Sequence, residues 1–230
     1  SPGNGDGVPK WETNWSVVKM GSLQGSNAGK IAFEIGKGSG SGYFEFLTPN
    51  TVNNGSWHQI VAVASRQSSA YIYIDGVEQA STTISSFVAD LTAPSGLSLG
   101  SNNGPGGFNT DATMDEVRLY NRALSATEIA ALYRSGQITL RQPTNQGLVG
   151  YWPMNEGRGQ YAGDSSGNGK TGTLTSMDAA TDWVNGKRGK ALDFDGVDDM
   201  VDLGDNFDFV SQSFTVCGWA KPTTGGYADG

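Results

Sequence analysis

The sequence predicts an all-β fold, a sandwich of antiparallel strands with one short helix. Short apolar runs of strand length recur along the 230 residues and are separated by residues typical of tight turns. Glycine supplies 34 residues and only 17% of the residues are charged, a composition that suits many short strands joined by turns. The hydrophobic content of 37% is ample for a core, so we expect folding without a metal or a disulfide.

The first half of the chain is predicted to be rich in strands. After a loop of Gly, Pro and Asp at 1–10, apolar segments predict strands at Trp15–Met20, Lys30–Ile35, Tyr43–Leu47, Trp57–Ala64, Ala70–Ile74, Leu97–Gly100 and Ala112–Tyr120. Asp75 and Gly76, between YIYI and VEQA, predict a hairpin, because both central residues of a type I′ turn need positive φ.

One helix is predicted at 125–134. Ser125 is suited to the N-cap position, and Glu128 three residues later completes a capping box. Good helix formers follow in IAALY, and Gly136 is expected to stop the helix. We expect this helix to pack locally.

The second half is predicted to hold further strands after a connector at 136–146. Its apolar segments predict strands at Leu148–Pro153, Ala191–Phe194, Met200–Leu203 and Ser213–Lys221. The sequence contains no internal repeat, because residues 1–134 and 147–230 are complementary rather than similar.

Charge and cysteine content narrow the classes of partner. The net charge of −8 and the pI near 4.5 argue against nucleic acid and anionic membrane surfaces, since both require a basic footprint. Acidic loops favour hard cations instead. No apolar run approaches the length that spans a bilayer, so no membrane insertion is expected. Cys217, the single cysteine, is predicted to be a small buried hydrophobe.

Several segments together resemble one family. They are GLVGYWPMNEG, DSSGNGKTGTL, GKALDFDGVDDMVDLG, SFTVCGWAKP, WHQIVAVA, YIYIDGVEQ and MDEVRLYNRALSATEIAALY. These segments are similar to those of the laminin-G-like, concanavalin-A-like domain of bacterial surface and secreted proteins. The resemblance implies a two-sheet antiparallel jelly roll in an extracellular or cell-surface protein.

The order of the segments departs from the family. Residues 1–135 resemble the back half of the domain, 136–146 form the connector, and 147–230 resemble the front half. Two organisations stay open. The chain is a circular permutant that closes on itself, or copies arranged head to tail complete each other's sandwich. The second arrangement builds a filament when its rotation does not close.

The resemblance also implies a structural calcium ion. In the family a loop like Asp164-Ser-Ser-Gly-Asn168-Gly binds Ca²⁺ together with the acidic residue that opens the DEVR strand, here Asp115. Further candidate ligands are the carbonyl groups of Gly172 and Met114, because Ca²⁺ takes about six to eight oxygen ligands. The alternative is that the loop only forms an Asx-type turn.

A second group of carboxylates lies in two predicted strands and the turn between them. It consists of Asp193, Asp195, Asp198, Asp199 and Asp202. A solvated hairpin, in which Asp side chains accept hydrogen bonds from turn amides, is favoured over a second calcium site.

The sequence predicts that the protein is not an enzyme. The carboxylate motif of the glucanases that share this sandwich is absent. Asp115 and Glu116 are the nearest acidic pair, but adjacent strand residues are expected on opposite faces of the sheet. His58 is the only histidine and has neither an acid nor a nucleophile close by in sequence, so a structural role is predicted.

Aromatic residues in loops suggest ligand binding. Trp11, Trp15, Tyr227 and Trp183 lie in or beside segments rich in Gly, Asp and Asn, where an exposed ring is able to stack on a sugar. Trp15 also alternates with Val17 in a way that favours burial. The leading hypothesis is therefore a module that recognises glycans or another surface ligand. The alternative, from another class, is a structural subunit that polymerises with copies of itself.

Overall fold

In a computed structural model the chain folds into antiparallel β-strands and one helix, which confirms the predicted all-β class. The structure describes residues 15–17, 29–36, 43–66, 68–84, 97–100, 109–137, 145–204, 207, 209 and 212–223.

The strands are numbered in chain order. They are β1 (Trp15–Val17), β2 (Ala32–Gly36), β3 (Tyr43–Leu47), β4 (His58–Ala64), β5 (Ser69–Ile74), β6 (Val77–Thr83), β7 (Ser98–Leu99), β8 (Asp111–Tyr120), β9 (Leu148–Trp152), β10 (Tyr161–Ala162), β11 (Gly172–Thr175), β12 (Trp183–Asn185), β13 (Lys190–Asp195), β14 (Met200–Asp202) and β15 (Phe214–Pro222). The helix α1 spans Ala126–Gln137.

The largest sheet combines strands from both parts of the chain. Its order is β12-β13-β8-β15-β4-β5-β6, and β9 also pairs with β8. Strand β15 lies between β8 and β4, so a late segment of the chain separates two early strands. A four-stranded sheet has the order β10-β11-β14-β7, and a three-stranded sheet has the order β1-β2-β3.

Two apolar clusters fill the interior. The larger cluster collects side chains from all three sheets, and its largest fully buried members include Trp152, Phe33, Phe194 and Phe214. The smaller cluster packs α1 against the outer side of the large sheet, through residues such as Ile129 and Leu132. Cys217 belongs to it, and burial raises the pKa of its thiol to about 11. The prediction that Cys217 is a buried hydrophobe is confirmed.

A β-bulge interrupts β8 where it pairs with β15. Cys217 pairs with Arg118, but Trp219 pairs with Asp115, so β8 contains one extra residue between these pairs. Glu116 adopts a φ of 56° at this point. Bulges re-aim side chains, and this one determines where the two acidic residues of β8 lie.

The N-terminus of α1 carries the predicted capping box. The Glu128 carboxylate accepts hydrogen bonds from the backbone N–H and the hydroxyl of Ser125, both at 2.9 Å, and Ser125 Oγ accepts a long one from the N–H of Glu128. The Arg122 guanidinium also binds the Glu128 carboxylate, at 2.6 Å, and with the Ser125 donors it holds the pKa of Glu128 at about 2.

We expect Ser125→Ala to lower the free energy of unfolding by about 1 kcal/mol, because the first turn of α1 loses its side-chain cap. Urea denaturation measures the change. Thr127→Ala is the matched control, since Thr127 is exposed in the same turn, and it should leave the midpoint almost unchanged. Equal midpoints for Ser125→Ala and the wild type would contradict the capping role.

Candidate functional site

The loop at 164–169 is held together by Asp164. Its Oδ1 accepts hydrogen bonds from the backbone N–H of Tyr151 at 3.0 Å and of Ser166 at 2.8 Å. Its Oδ2 accepts from Ser166 Oγ at 2.8 Å and from the N–H of Lys170 at 2.9 Å. Burial acts to raise the pKa of Asp164, but these donors outweigh it and the pKa lies below its usual value.

The other predicted calcium ligands have contacts of their own. The Asn168 side-chain amide donates to the carbonyl oxygens of Leu148 and Val149, each at 3.2 Å. Met114 lies inside β8, paired with Leu192 and Ala220, and Gly172 lies in the four-stranded sheet, paired with Ala162. The loop has the geometry of an Asx-type turn, and each Asp164 oxygen is occupied by two donors. A cation would bind to Asp164 only if some of these four hydrogen bonds were broken.

Asp115 lies beneath the turn at 186–189. It has no exposed surface, and its Oδ2 accepts a hydrogen bond from the N–H of Arg188 at 2.7 Å. Its buried Oδ1 has no hydrogen-bond partner among the described residues. A Cβ added at Gly186 would lie 2.7 Å from Oδ2, so the turn covers the carboxylate closely. Burial, assisted by the Glu116 charge, raises the pKa of Asp115 to about 7.

Glu116 is the centre of a buried ionic network. Arg118 Nη2 lies 2.7 Å from its Oε2, the Tyr151 hydroxyl lies 3.0 Å from both carboxylate oxygens, and Arg188 Nη1 lies 3.9 Å from Oε2. The Arg118 guanidinium stacks 4.0 Å above the Tyr151 ring. Glu116 and Arg118 are 4% and 8% exposed. The charge of Glu116 is therefore compensated within the protein.

The bulge corrects the expectation that Asp115 and Glu116 lie on opposite faces. Arg188 contacts both, through its backbone N–H and its guanidinium. Two neighbouring carboxylates with different environments are the kind of pair that glycoside hydrolysis uses. Here both side chains are buried, and Glu116 is already bound by cations and a phenol. Neither presents an accessible oxygen to a glycosidic bond.

His58 has an acidic partner that the sequence did not reveal. Its Nδ1 lies 2.8 Å from Asp75 Oδ2, and its Nε2 lies 3.0 Å from Asn54 Oδ1. Asp75 also accepts a hydrogen bond from the N–H of Gln59 and occupies the predicted positive-φ position of the hairpin turn. Among the described residues, the hydrogen-bond partners of His58 include no hydroxyl or thiol, and the contacts it makes tie β4 to this turn.

Three carboxylates converge in the turn between β13 and β14. One oxygen from each of Asp195, Asp198 and Asp199 lies within 4.8 Å of the others. Asp199 is 5% exposed and accepts a hydrogen bond from the N–H of Asp195 at 3.0 Å. Burial and the surrounding acidic side chains raise its pKa to about 6. The hairpin hydrogen bonds that the sequence favoured are present, because Asp195 also accepts one from the N–H of Val197.

The other two carboxylates of that group point to separate partners. Asp193 accepts a hydrogen bond from the Thr113 hydroxyl at 2.7 Å, and Asp202 accepts one from the N–H of Gly204 at 2.8 Å. The structure thus reduces the group of five to a cluster of three, which we call the acidic turn (Asp195, Asp198 and Asp199).

Of the four aromatic residues predicted to bind a ligand, two lie within the described residues. Trp183 is only 5% exposed, and its indole N–H donates to the carbonyl of Gly159 at 2.9 Å. The prediction that its ring is exposed is wrong, because β12 pairs with β13 and turns the indole into the core. Trp15 lies in β1, while Trp11 and Tyr227 lie outside the described residues.

Sequence reasoning missed one exposed aromatic residue. Tyr161 in β10 is 61% exposed, and β10 is one of the two edge strands of the four-stranded sheet. Tyr161 lies in the segment RGQYAGD, which is rich in Gly and Asp like the segments that hold Trp11 and Tyr227. The same criterion therefore predicts an exposed ring at Tyr161.

Comparison with known families agrees with this architecture. The model of the concanavalin A-like lectin/glucanase superfamily matches residues 8–130, which is more than half of the chain. The chain is therefore a member of this laminin-G-like family of β-sandwich domains. Searches of curated proteins and of solved structures gave no match. Among the described residues, no helix is both long and apolar enough to cross a membrane.

Proposed function

We propose that this chain is a non-catalytic carbohydrate-recognition module that works in the extracellular space or at the cell surface. The observation that carries the proposal is membership of the lectin/glucanase superfamily over residues 8–130. The net charge of −8 is consistent with a neutral surface ligand rather than an anionic one.

The surroundings of Asp115 and Glu116 support a non-catalytic role. A glycosidase needs one carboxyl group to donate a proton to the leaving oxygen and a second group to act as base or nucleophile, both within reach of the substrate. Asp115 has no exposed surface, and Glu116 is held by two arginine side chains and Tyr151. The bulged strand is therefore suited to holding the sandwich together.

A binding screen tests this proposal together with an activity assay. Affinity electrophoresis through gels that contain a soluble β-glucan, xylan or mannan should retard the protein, while incubation with the same polysaccharides should release no reducing ends. Released reducing ends would assign the protein to the hydrolases. Unretarded migration in every gel would contradict carbohydrate recognition.

We also propose that one structural calcium ion is bound, and two positions compete. The family resemblance implies the 164–169 loop with Asp115, whereas donor chemistry favours the acidic turn, where three carboxylate oxygens lie within 4.8 Å of one another. Burial is the main cause of the raised pKa of Asp199, and the surrounding acidic side chains add to it; a bound cation would offset their repulsion.

Calorimetric titration of EDTA-treated protein with Ca²⁺ distinguishes the two positions. We expect Asp199→Asn to abolish the binding heat, and Asp164→Asn to retain it. Asp193→Asn is the matched control, since this exposed carboxylate lies on the same hairpin outside the cluster. Loss of binding in Asp164→Asn alone would return the site to the loop, and an absence of heat with the wild type would end the calcium proposal.

The polymerising subunit stays a prediction. It requires residues 1–20 and 213–230 to pair between chains, whereas β15 is paired on both sides within this chain, with β8 and β4. Light scattering over a concentration series tests it. A constant mass of 24.1 kDa supports a domain that closes on itself, and a series of multiples supports assembly.

A further inference from the structure

The four-stranded sheet has a core-facing side and an outer side. Ala162, Leu174 and Val201 belong to the main apolar cluster, on the side that faces the large sheet. Because side chains alternate along a strand, their neighbours Tyr161, Thr173 and Asp202 project from the opposite side. All three of these residues are exposed.

The strand register aligns these neighbours in one row. Tyr161 pairs with Thr173, Thr173 pairs with Asp202, and Asp202 pairs with Ser98. The row crosses the whole sheet at right angles to its strands. With neighbouring strands about 4.8 Å apart, Tyr161, Thr173 and Asp202 span about 10 Å, which is longer than a single sugar ring.

The chemistry of the row suits a carbohydrate. Tyr161 provides a flat apolar ring with a polar tip on the edge strand. The Thr173 hydroxyl forms no hydrogen bond among the described residues. Asp202 uses Oδ1 to accept from Gly204, which leaves Oδ2 available to accept from a ligand hydroxyl.

The charge of the row selects among possible ligands. Asp202 is its only charged member, and the whole chain carries a net charge of −8. Sulfated or uronic acid glycans and nucleic acids would be repelled, whereas the hydroxyl groups of a neutral sugar are donors that complement a carboxylate. A single exposed ring is too little apolar surface for a stable protein interface.

We propose that the row Tyr161–Thr173–Asp202 is the glycan-binding strip of this module, and that it takes a neutral, unbranched oligosaccharide lying across the strands. This inference rests on the proposed function and adds to it the position of the site and the class of sugar. Tyr161 stacks on one ring, and Thr173 and Asp202 accept or exchange hydrogen bonds with the hydroxyl groups of the following rings.

Calorimetric titration with defined hexasaccharides tests the strip. The neutral probes are cellohexaose, laminarihexaose, xylohexaose and mannohexaose, and hexagalacturonate is the acidic probe. For the neutral probe that binds the wild type, Tyr161→Ala should weaken the affinity about tenfold or more, because the stacked ring is lost. Asp202→Asn should weaken it several-fold while keeping an acceptor for Gly204, and Tyr161→Phe should retain most of the affinity.

Val77→Ala is the matched control, since Val77 is another exposed apolar residue and lies on β6 of the largest sheet. This substitution should leave the affinity unchanged. Thermal unfolding of each variant confirms that the fold is retained. If the wild type binds a neutral probe and both Tyr161→Ala and Asp202→Asn bind it equally well, the strip is refuted while carbohydrate recognition stands. Binding of hexagalacturonate alone would also refute the strip, and absence of binding to every saccharide would refute both proposals.

Discussion

Replacing Arg118 by methionine is expected to lower the free energy of unfolding by about 3 kcal/mol or more, because Glu116 would keep a buried charge without its closest partner. Arg118 Nη2 lies 2.7 Å from the Glu116 carboxylate, and both side chains are buried. Methionine is unbranched and fills most of the space of the arginine stem, so packing loss contributes little. Urea denaturation at neutral pH measures the change.

The double variant Glu116→Gln with Arg118→Met separates the charge effect from packing. Removing both charges should recover most of the lost stability, since a buried ion pair replaced as a whole is often close to neutral. Tyr151 still donates to the glutamine oxygen in this variant, as it does to Glu116. If the double variant were as unstable as Arg118→Met alone, the loss would come from packing against the Tyr151 ring and not from the unpaired carboxylate.

Asp115→Asn is expected to raise the free energy of unfolding in EDTA at pH 8, by roughly 2–4 kcal/mol. Burial raises the folded-state pKa of Asp115 to about 7, from a usual value of 3.8. The folded protein therefore holds this proton more tightly than the unfolded chain does. The resulting stability is fully present below pH 3.8 and is lost as the pH rises through about 7.

Denaturation at pH 5 and pH 8 measures this dependence. The wild type should lose stability between the two values, and Asp115→Asn should lose less, whereas the exposed Asp193→Asn should behave like the wild type. Added Ca²⁺ gives an independent readout at pH 8. If it stabilises the wild type strongly but not Asp115→Asn, the unpartnered Oδ1 is a calcium ligand, which would favour the site that the family resemblance implies.

The strands were predictable from the sequence wherever a run of apolar residues is long enough to show a pattern. Apolar runs such as Trp57–Ala64 and Ala112–Tyr120 predicted β4 and β8 almost to their ends, and the capping box at Ser125 predicted the start of α1. The short strands β10 and β11 were missed. Their sequences, YA and GTLT, bury only alternate residues over two to four positions, which is too short for a periodic signal.

The candidate site was less predictable, because it depends on local backbone geometry and on distant contacts. Nothing in DEVR reveals that Glu116 adopts positive φ, which is uncommon for a residue with a side chain. The partner of Asp115 in space, Arg188, lies far along the sequence. Trp183 was mistaken for a loop residue because ATDWVNG is polar on both sides, and only its pairing with Leu192 buries the ring.

The central position of β15 has a consequence for how the protein matures. Phe214 pairs with Ala64, and Thr215 pairs with Tyr120, so the middle of the large sheet depends on contacts between segments far apart in the chain. Such long-range pairing slows folding. While the ribosome is still making the residues before 214, the facing edges of β4 and β8 have no partner and are open to aggregation. We therefore expect the nascent chain to depend most on chaperones before β15 has been made.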